Sequence, residues 1–259
     1  MQDDMEIIKM QNYFVAKDND LITKSRFDLS MQQQKILLYF ISQIKPLDDS
    51  DTVYTLDIGE FAKVCGYCSG TGYYYTTIKR DIKSLRDTSC WIETSPGTEE
   101  LFAWINTATI NKRNGTITIT FHKTIAHYLF ALREKYTQYN LANILSLSRK
   151  YSIRLYELLV AMRYKKQFEI PLEALKKRTD AEMYDTYSNF EIRVLRPAVE
   201  EIGQMTDIAV TYEAQKTGKK VTSIIFTYQE KTVNKLLELQ ERRKNQLDPD
   251  VRKKRKADS

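Results

Sequence analysis

Residues 188–204 read SNFEIRVLRPAVEEIGQ, and residues 206–228 read TDIAVTYEAQKTGKKVTSIIFTY. In the first stretch Ile192, Leu195, Val199 and Ile202 recur at helical spacing and form one apolar stripe. At about 100° per residue, Arg193 points most directly away from Leu195, with Asn189 and Arg196 flanking it. Ser188 and Glu191 have the Ser-x-x-Glu spacing of a capping box. Pro197 lacks an amide donor and crowds the preceding turn, so a kink or split is expected near Leu195–Arg196. In the second stretch two β-rich runs, Asp207–Ala214 and Val221–Tyr228, flank Lys216, Thr217, Gly218, Lys219 and Lys220, which reads as a hairpin. An amphipathic helix followed directly by a lysine-tipped hairpin is the pattern that decides the fold.

Working upstream, Ser148 opens a helix over RKYSIRLYELLVAMRYKK, with Ile153, Leu155, Tyr156 and Leu159 spaced for burial. Phe168–Ile170 is a short strand. PLEALKKR is a short helix with Pro171 in its first turn, where proline is tolerated. A turn at Tyr184, Asp185 and Thr186 leads to the amphipathic helix. Helix, strand, short helix, turn, longer helix, hairpin is the order of a winged helix-turn-helix.

The same order occurs earlier in the chain. Ile36, Leu38 and Tyr39 reappear 117 residues later as Ile153, Leu155 and Tyr156. The same shift maps Ile78, Ile82 and Leu85 onto Leu195, Val199 and Ile202, and Trp91 onto Ile208. Between these clusters Ile58 and Phe61 match Leu172 and Leu175 at a shift of 114. Ser30 and Gln33 form a capping box ahead of MQQQKILLYFISQI. Val53–Leu56 is a strand, Asp57 caps IGEFAKVC, and YYYTTIKRDIKSLRD is the second helix. Leu101–Ile110 and Thr116–Phe121 form the hairpin, joined at Lys112, Arg113, Asn114 and Gly115, where Asn-Gly is a strong turn signal. A repeat this long is a duplicated domain. The expected fold is α+β: two tandem winged helix-turn-helix domains, 1–135 and 136–230, followed by a C-terminal helix and basic, disordered tail over 231–259.

The 259 residues carry 40 Lys+Arg against 34 Asp+Glu, a net charge of +6. The stretch 241–259 supplies +4 of it, including the run Arg252 to Lys256, so the sum alone says little about the body of the protein. The distribution on the elements says more. In the first unit Tyr73, Thr76, Arg80 and Lys83 lie opposite the Ile78, Ile82, Leu85 stripe. In the second unit Ser188, Asn189, Arg193 and Arg196 occupy the polar side. Any amphipathic helix has such a side. What singles these out is that both copies also carry cations at the hairpin tip, Lys112 and Arg113 in one and Lys216, Lys219 and Lys220 in the other. Arg reads guanine and Asn reads adenine bidentately in the major groove, while hairpin lysines suit phosphates.

Other chemistry is poorly represented. Three cysteines in a chain of this length exclude a disulfide scaffold and suggest a reducing compartment. Cys65-x-x-Cys68 lacks the second ligand pair a structural zinc normally takes. His122 and His127 are five apart, the wrong spacing for the His-x-His metal pair of a rolling-circle nuclease. No phosphate-cradling glycine loop or Walker lysine is present, so neither an enzymatic role nor a cofactor is expected. No apolar run reaches about 18 residues and MQDDMEIIKM is no signal peptide, which makes the cytoplasm the expected location.

The chain resembles the Rep initiator proteins of theta-replicating plasmids, whose tandem winged-helix domains bind repeated origin sequences called iterons. NYFVAKDNDLITKSRFDLSMQQQKILLYFISQI (12–44), LSLSRKYSIRLYELL (145–159), FEIRVLRPAVEEI (190–202) and the hairpin to Tyr228 carry the resemblance. Pro197 sits where such proteins typically have a proline. The resemblance implies binding of duplex origin DNA as a monomer, one winged helix on each of two adjacent major-groove segments; of the two, the second domain is expected to be the main reader. It further implies opening of a nearby A·T-rich region, recruitment of host initiator and helicase, and a monomer–dimer equilibrium in which a dimer made through the first domain represses its own gene. A winged-helix transcription regulator without a replication role would use the same helix faces.

Overall fold

The computed structural model describes residues 13–65, 73–229, 231, 238 and 239. β1 (Phe14–Asp18), α1 (Asn19–Thr23), β2 (Ser25–Arg26) and α2 (Met31–Ile41) open the chain. The capping box at Ser30 is formed: its hydroxyl accepts from the Gln33 amide at 3.2 Å, and its own amide donates to Gln33 Oε1 at 2.8 Å. Ile36, Leu37, Phe40 and Ile41 are buried. The helix ends at Ile41, short of the expected Ile44, where the Ser42 hydroxyl turns back onto Tyr39 O at 2.7 Å. β3 (Tyr54–Asp57), α3 (Ile58–Val64), α4 (Tyr73–Asp87), β4 (Ser89–Ser95), β5 (Thr98–Ala103), β6 (Ile105–Asn111), β7 (Thr116–Phe121) and a 3-10 segment (Lys123–Tyr128) follow. The rest is β8 (Tyr136–Asn140), α5 (Leu141–Leu145), α6 (Lys150–Met162), β9 (Gln167–Pro171), α7 (Leu172–Arg178), α8 (Tyr187–Phe190), a π turn (Glu191–Leu195), α9 (Arg196–Met205), β10 (Ala209–Thr217) and β11 (Lys220–Gln229).

The duplication is visible in the sheets. β3 pairs with β7, which pairs with β6; β9 pairs with β11, which pairs with β10. In each unit a short strand thus lies against the second strand of the wing. The matched residues Ile36/Ile153, Tyr39/Tyr156, Ile78/Leu195 and Leu85/Ile202 are buried in both copies.

One match fails. Trp91 lies on β4, which pairs with β2 and β5 in a sheet of its own, and the counterpart of β10 is β6. The first unit contains an inserted hairpin, β4–β5, closed by Pro96 and Gly97, whose φ of +76° suits a type II turn. The run expected over Leu101–Ile110 is split at buried Trp104 between β5 and β6. Two helix starts also differ. The cap ahead of the long second-unit helix is Thr186, whose hydroxyl accepts from Asn189 N–H at 3.3 Å, so Ser188 is inside the helix and no capping box forms there. Ser148 does not cap α6: its amide donates to Glu201 Oε1 at 2.8 Å, and its hydroxyl bonds the same oxygen. The terminal helix and basic tail expected after residue 230 lie outside the described residues apart from positions 231, 238 and 239.

The two units meet at a buried charge cluster. β1 pairs antiparallel with β8, Phe14 opposite Asn140 through Asp18 opposite Tyr136, so the chain's first strand lies beside the strand that leads into the second unit. Lys17 on β1 is ion-paired to Glu157 on α6, and Tyr139 on β8 donates its hydroxyl to the same carboxylate. Arg154, one turn earlier on α6, lies 3.4 Å from Glu157 Oε2 and donates to Ser25 O and Oγ at 3.3 Å and to Arg178 O at 3.2 Å. Its guanidinium rests 4.2 Å from the centre of the Phe27 ring. All four groups are buried. Burial pushes the Glu157 carboxyl up, but the Lys17 and Arg154 charges and the bonds from Lys17 and Tyr139 outweigh it and hold it below the usual carboxylate range. The Arg154 and Glu157 of the RLYELL stretch are therefore structural residues.

The inserted hairpin braces the same junction. Glu99 on β5 takes Lys177 at 2.8 Å and Arg26 at 3.2 Å, Arg178 lies 3.5 Å from Glu93, and Arg178 donates to Lys24 O at 2.9 Å. Lys150 joins Asp28 at 3.1 Å to Asp180 at 3.0 Å.

Removing the central carboxylate leaves two cations buried without a counter-charge. Glu157→Ala should lower stability at neutral pH by about 3–5 kcal/mol in urea unfolding. Because the folded carboxyl is held below its unfolded value of about 4.3, its contribution is complete above that pH and is lost as pH falls through the folded value. The gap between wild type and variant should therefore narrow in acid. A loss under about 1 kcal/mol at pH 7 would mean that water screens the cluster.

Candidate nucleic-acid interface

The long helix of the second unit is not α-helical throughout. The Arg196 amide bonds Glu191 O, five residues back, which makes Glu191–Leu195 a π turn before regular α9 resumes at Arg196. Pro197 accounts for it: the ring cannot sit against the carbonyl four residues earlier and offers no N–H, so the preceding turn widens. The break falls at Leu195–Arg196, where the proline was expected to place it.

The wide turn resets the faces. Phe190, Val194, Leu195, Ala198, Val199 and Ile202 point into the core. Ile192, expected in the buried stripe, is instead 54% exposed. Regular 100° phasing puts it inside; the slower rotation of the π turn carries it to the polar side. Ser188, Asn189, Arg193 and Arg196 are exposed as expected, so five side chains, Ile192 among them, share one solvent face.

Arg196 is not free on that face. Its guanidinium lies 2.7 Å from Glu191 Oε1, which also accepts the Tyr212 hydroxyl at 3.0 Å. Five residues apart, Glu191 and Arg196 would diverge on an α-helix; the π turn brings them together. The Arg196 bond, with help from Tyr212, holds the Glu191 carboxyl below the usual carboxylate range despite some opposing burial. Tyr212 is on β10, so this contact ties the wing to the helix that precedes it. At the other end Glu201 of α9 takes Ser148 and lies 3.5 Å from Arg149, and the Ser146 hydroxyl donates to Met205 O at 2.9 Å. The helix is anchored at both ends and open along its outer face.

The wing of the second unit ends in a two-residue loop, Gly218 and Lys219, between the paired Thr217 and Lys220. Gly218 has φ +64°, the value a type II′ turn needs at its first central position. A register shift at Gln215/Lys216 adds local twist. Lys216, Lys219 and Lys220 are exposed around this tip.

In the first unit α4 presents Thr76, Arg80 and Lys83 to solvent, with Ile78, Ile82 and Leu85 inward. Tyr73 is the first residue of α4, and its side chain lies outside the described set. Lys79 was not singled out by sequence, yet it is exposed and lies one turn before Lys83 on the same row. Arg80 lies 3.7 Å from the buried carboxylate of Asp81. Lys112 and Arg113 are exposed in a four-residue loop shaped by Asn111 Oδ1, which accepts from Arg113 N–H at 3.0 Å. The tip loop of this wing is bonded to the start of α3, the Ile58 N–H donating to Gly115 O at 2.9 Å.

The remaining sequence candidates are engaged locally. His122 caps the 3-10 segment through Thr124, and the His127 ring lies against Tyr128, 3.9 Å between centres. Cys65 is half-buried, and burial pushes the Cys90 thiol up to about 12. Cys68 lies outside the described residues. Among the described residues no group of three or more His, Cys, Asp or Glu could hold a metal ion, and no helix is long and apolar enough to cross a membrane.

Comparison with known proteins agrees with this architecture. Residues 14–160 match the family model described as Initiator Replication protein, WH1, and residues 171–228 match Initiator Rep protein, WH2. A replication initiation protein of Escherichia coli is 24% identical over 229 residues, covering 84% of this chain and 70% of that protein. An uncharacterized 27.6 kDa protein of Escherichia coli is 20% identical over 225 residues, 81% of this chain and 93% of the other. The crystal structure of a Pi initiator protein in complex with iteron DNA has the same fold, with a TM-score of 0.68 at 19% identity over 84% of this chain and 97% of that one.

The wing turn gives a direct check on the geometry. Gly218→Ala forces a side chain into the left-handed region and should cost about 1–2 kcal/mol in thermal unfolding. An unchanged melting temperature would show that the loop does not need its positive φ.

Proposed function

The chain belongs to the replication initiator family that carries paired WH1 and WH2 winged-helix domains, and on that premise we propose that it binds repeated duplex sites at a replication origin of the iteron type and so starts replication of its own plasmid. The observation that carries this reading is the exposed outer face of the second-unit helix, with Asn189, Arg193 and Arg196 clear of the core and three lysines at the adjoining wing tip.

On this reading Arg193 and Asn189 meet base edges in the major groove, and Lys216, Lys219 and Lys220 meet phosphates. The second domain supplies most of the sequence choice. The first adds α4 and the Lys112–Arg113 tip on the neighbouring groove, and it makes the contacts of a dimer that represses the chain's own gene. Occupied repeats would favour opening of an adjacent A·T-rich segment and engagement of the host initiator and helicase, in the cytoplasm. The role is one of binding and assembly, with no catalytic step of its own. The solved relative in complex with iteron DNA supports the choice of ligand.

Selection of duplexes from a random pool at near-physiological salt tests the proposal. The expected outcome is an asymmetric consensus of about two helical turns, bound at least about 10³-fold tighter than random duplex and present as direct repeats on the parent replicon. Weak binding without a consensus would overturn the proposal, and a single inverted repeat at a promoter would favour a transcription regulator. Arg193→Ala should cost about 1–3 kcal/mol and relax one position of the consensus. Lys219→Ala should weaken all sequences alike and flatten the salt slope by about one unit. Each is read by anisotropy titration; a uniform loss for Arg193→Ala would reassign it to the backbone.

A further inference from the structure

We infer that Ile192 is a specificity-determining residue, making apolar contact with the 5-methyl group of a thymine in the bound major groove. The inference rests on the DNA-binding reading above and goes beyond it, since arginine and asparagine on this face account for guanine and adenine but not for thymine.

Three observations carry it. Ile192 is a large apolar side chain, 54% exposed, on a helix whose other large aliphatic residues, Val194, Leu195, Val199 and Ile202, are buried. It stands among Ser188, Asn189, Arg193 and Arg196, all exposed polar residues of one face, so it is a single apolar spot inside a polar reading surface. The π turn over Glu191–Leu195 turns it away from the Leu195 and Val199 stripe with which regular phasing aligns it. With regular α-helical phasing the same residue would join the core stripe and gain the burial that exposure denies it.

The chemistry on offer in the groove narrows the partner. The thymine methyl is the one apolar group that a base pair presents to the major groove, and apolar side chains are its usual contacts. A β-branched residue in a helix has one dominant χ1 rotamer, so Ile192 offers its methyl groups at a settled position. The Glu191–Arg196 pair at 2.7 Å and the Tyr212 bond at 3.0 Å brace the turn on either side of it. Arg196 is thereby the positioned neighbour, and Ile192 and Arg193 are the groups turned toward a base.

The test uses the full chain and its selected consensus duplex. Each thymine is replaced in turn by deoxyuridine, which deletes the methyl and leaves base pairing intact, and binding is measured for wild type and Ile192→Ala. For wild type, one or two positions should lose about fourfold, the worth of one buried methyl group. Ile192→Ala should bind the parent duplex several-fold more weakly, with unchanged circular dichroism, and should show no further loss at those same positions. Tolerance of uridine at every position by wild type would overturn the inference while leaving DNA reading intact. Equal uridine losses in both proteins would also overturn it, assigning the methyl contact to another residue. Failure to select any consensus would remove the DNA reading itself, and this inference with it.

Discussion

The buried carboxylate of Glu157 sits at the centre of the seam that ties the first strand and β8 to helix α6. It answers Lys17 from the first strand and Arg154 from its own helix, and it accepts the Tyr139 hydroxyl from the strand that bridges the units. One negative charge serves two buried cations, and burial pushes both Lys17 and Arg154 below their ordinary pKa values. The nearby Cys90 thiol, pushed up to about 12 by burial, stays protonated and adds no second negative charge. Such a cluster gains little over an apolar one in net stability, but taking it apart is costly, and that asymmetry favours one arrangement of its parts. Strand β1, helix α6 and the braced β4–β5 hairpin therefore meet in one way, and the orientation of the second-unit helix follows from α6.

Local periodicity and capping are legible in the residues; long-range pairing is not. Ile36, Tyr39, Ile153 and Tyr156 obey regular helical spacing, and the structure buries all four. The Ser30 capping box is a local signal and it forms. At Ser188 the same local signal loses to Thr186, two residues earlier, and Ser148, expected to open a helix, is instead bonded to Glu201, a partner 53 residues away. The pairing of β1 with β8 joins two five-residue strands more than a hundred residues apart, which no periodicity reveals. The β4–β5 hairpin broke the repeat because an offset taken from helices does not carry past an insertion. Its Pro96-Gly97 turn was the available sign.

On the candidate interface, the polar residues were legible and the apolar one was not. Arg193, Asn189 and the wing lysines lie exposed in the structure, because amphipathic phasing and turn chemistry place them there. A 3.6-residue period places Ile192 in the core, but the π turn rotates more slowly and leaves it exposed. Pro197 carried the warning. It fixes the position of the wide turn, and the wide turn sets both the Glu191–Arg196 pair and the exposure of Ile192. A feature that looks like a local defect in the helix is what adds an apolar residue to its outer face. In the first unit Lys79 carries no distinguishing sequence signal, being one more cation on an already polar side.

The central claim is that two winged helices, held in a set relation by the buried seam, read adjacent grooves of one duplex. A spacing series tests it most directly. Duplexes with five or ten base pairs inserted between the two halves of the selected site would be titrated by anisotropy against the parent. Five base pairs turn one half to the opposite side of the helix, and ten restore its facing but shift it by about one turn, roughly 34–36 Å. The account predicts loss of specific affinity at both insertions, down to the level of the better half-site. Retention of parental affinity at ten base pairs would contradict it, because only loosely linked domains could span that distance.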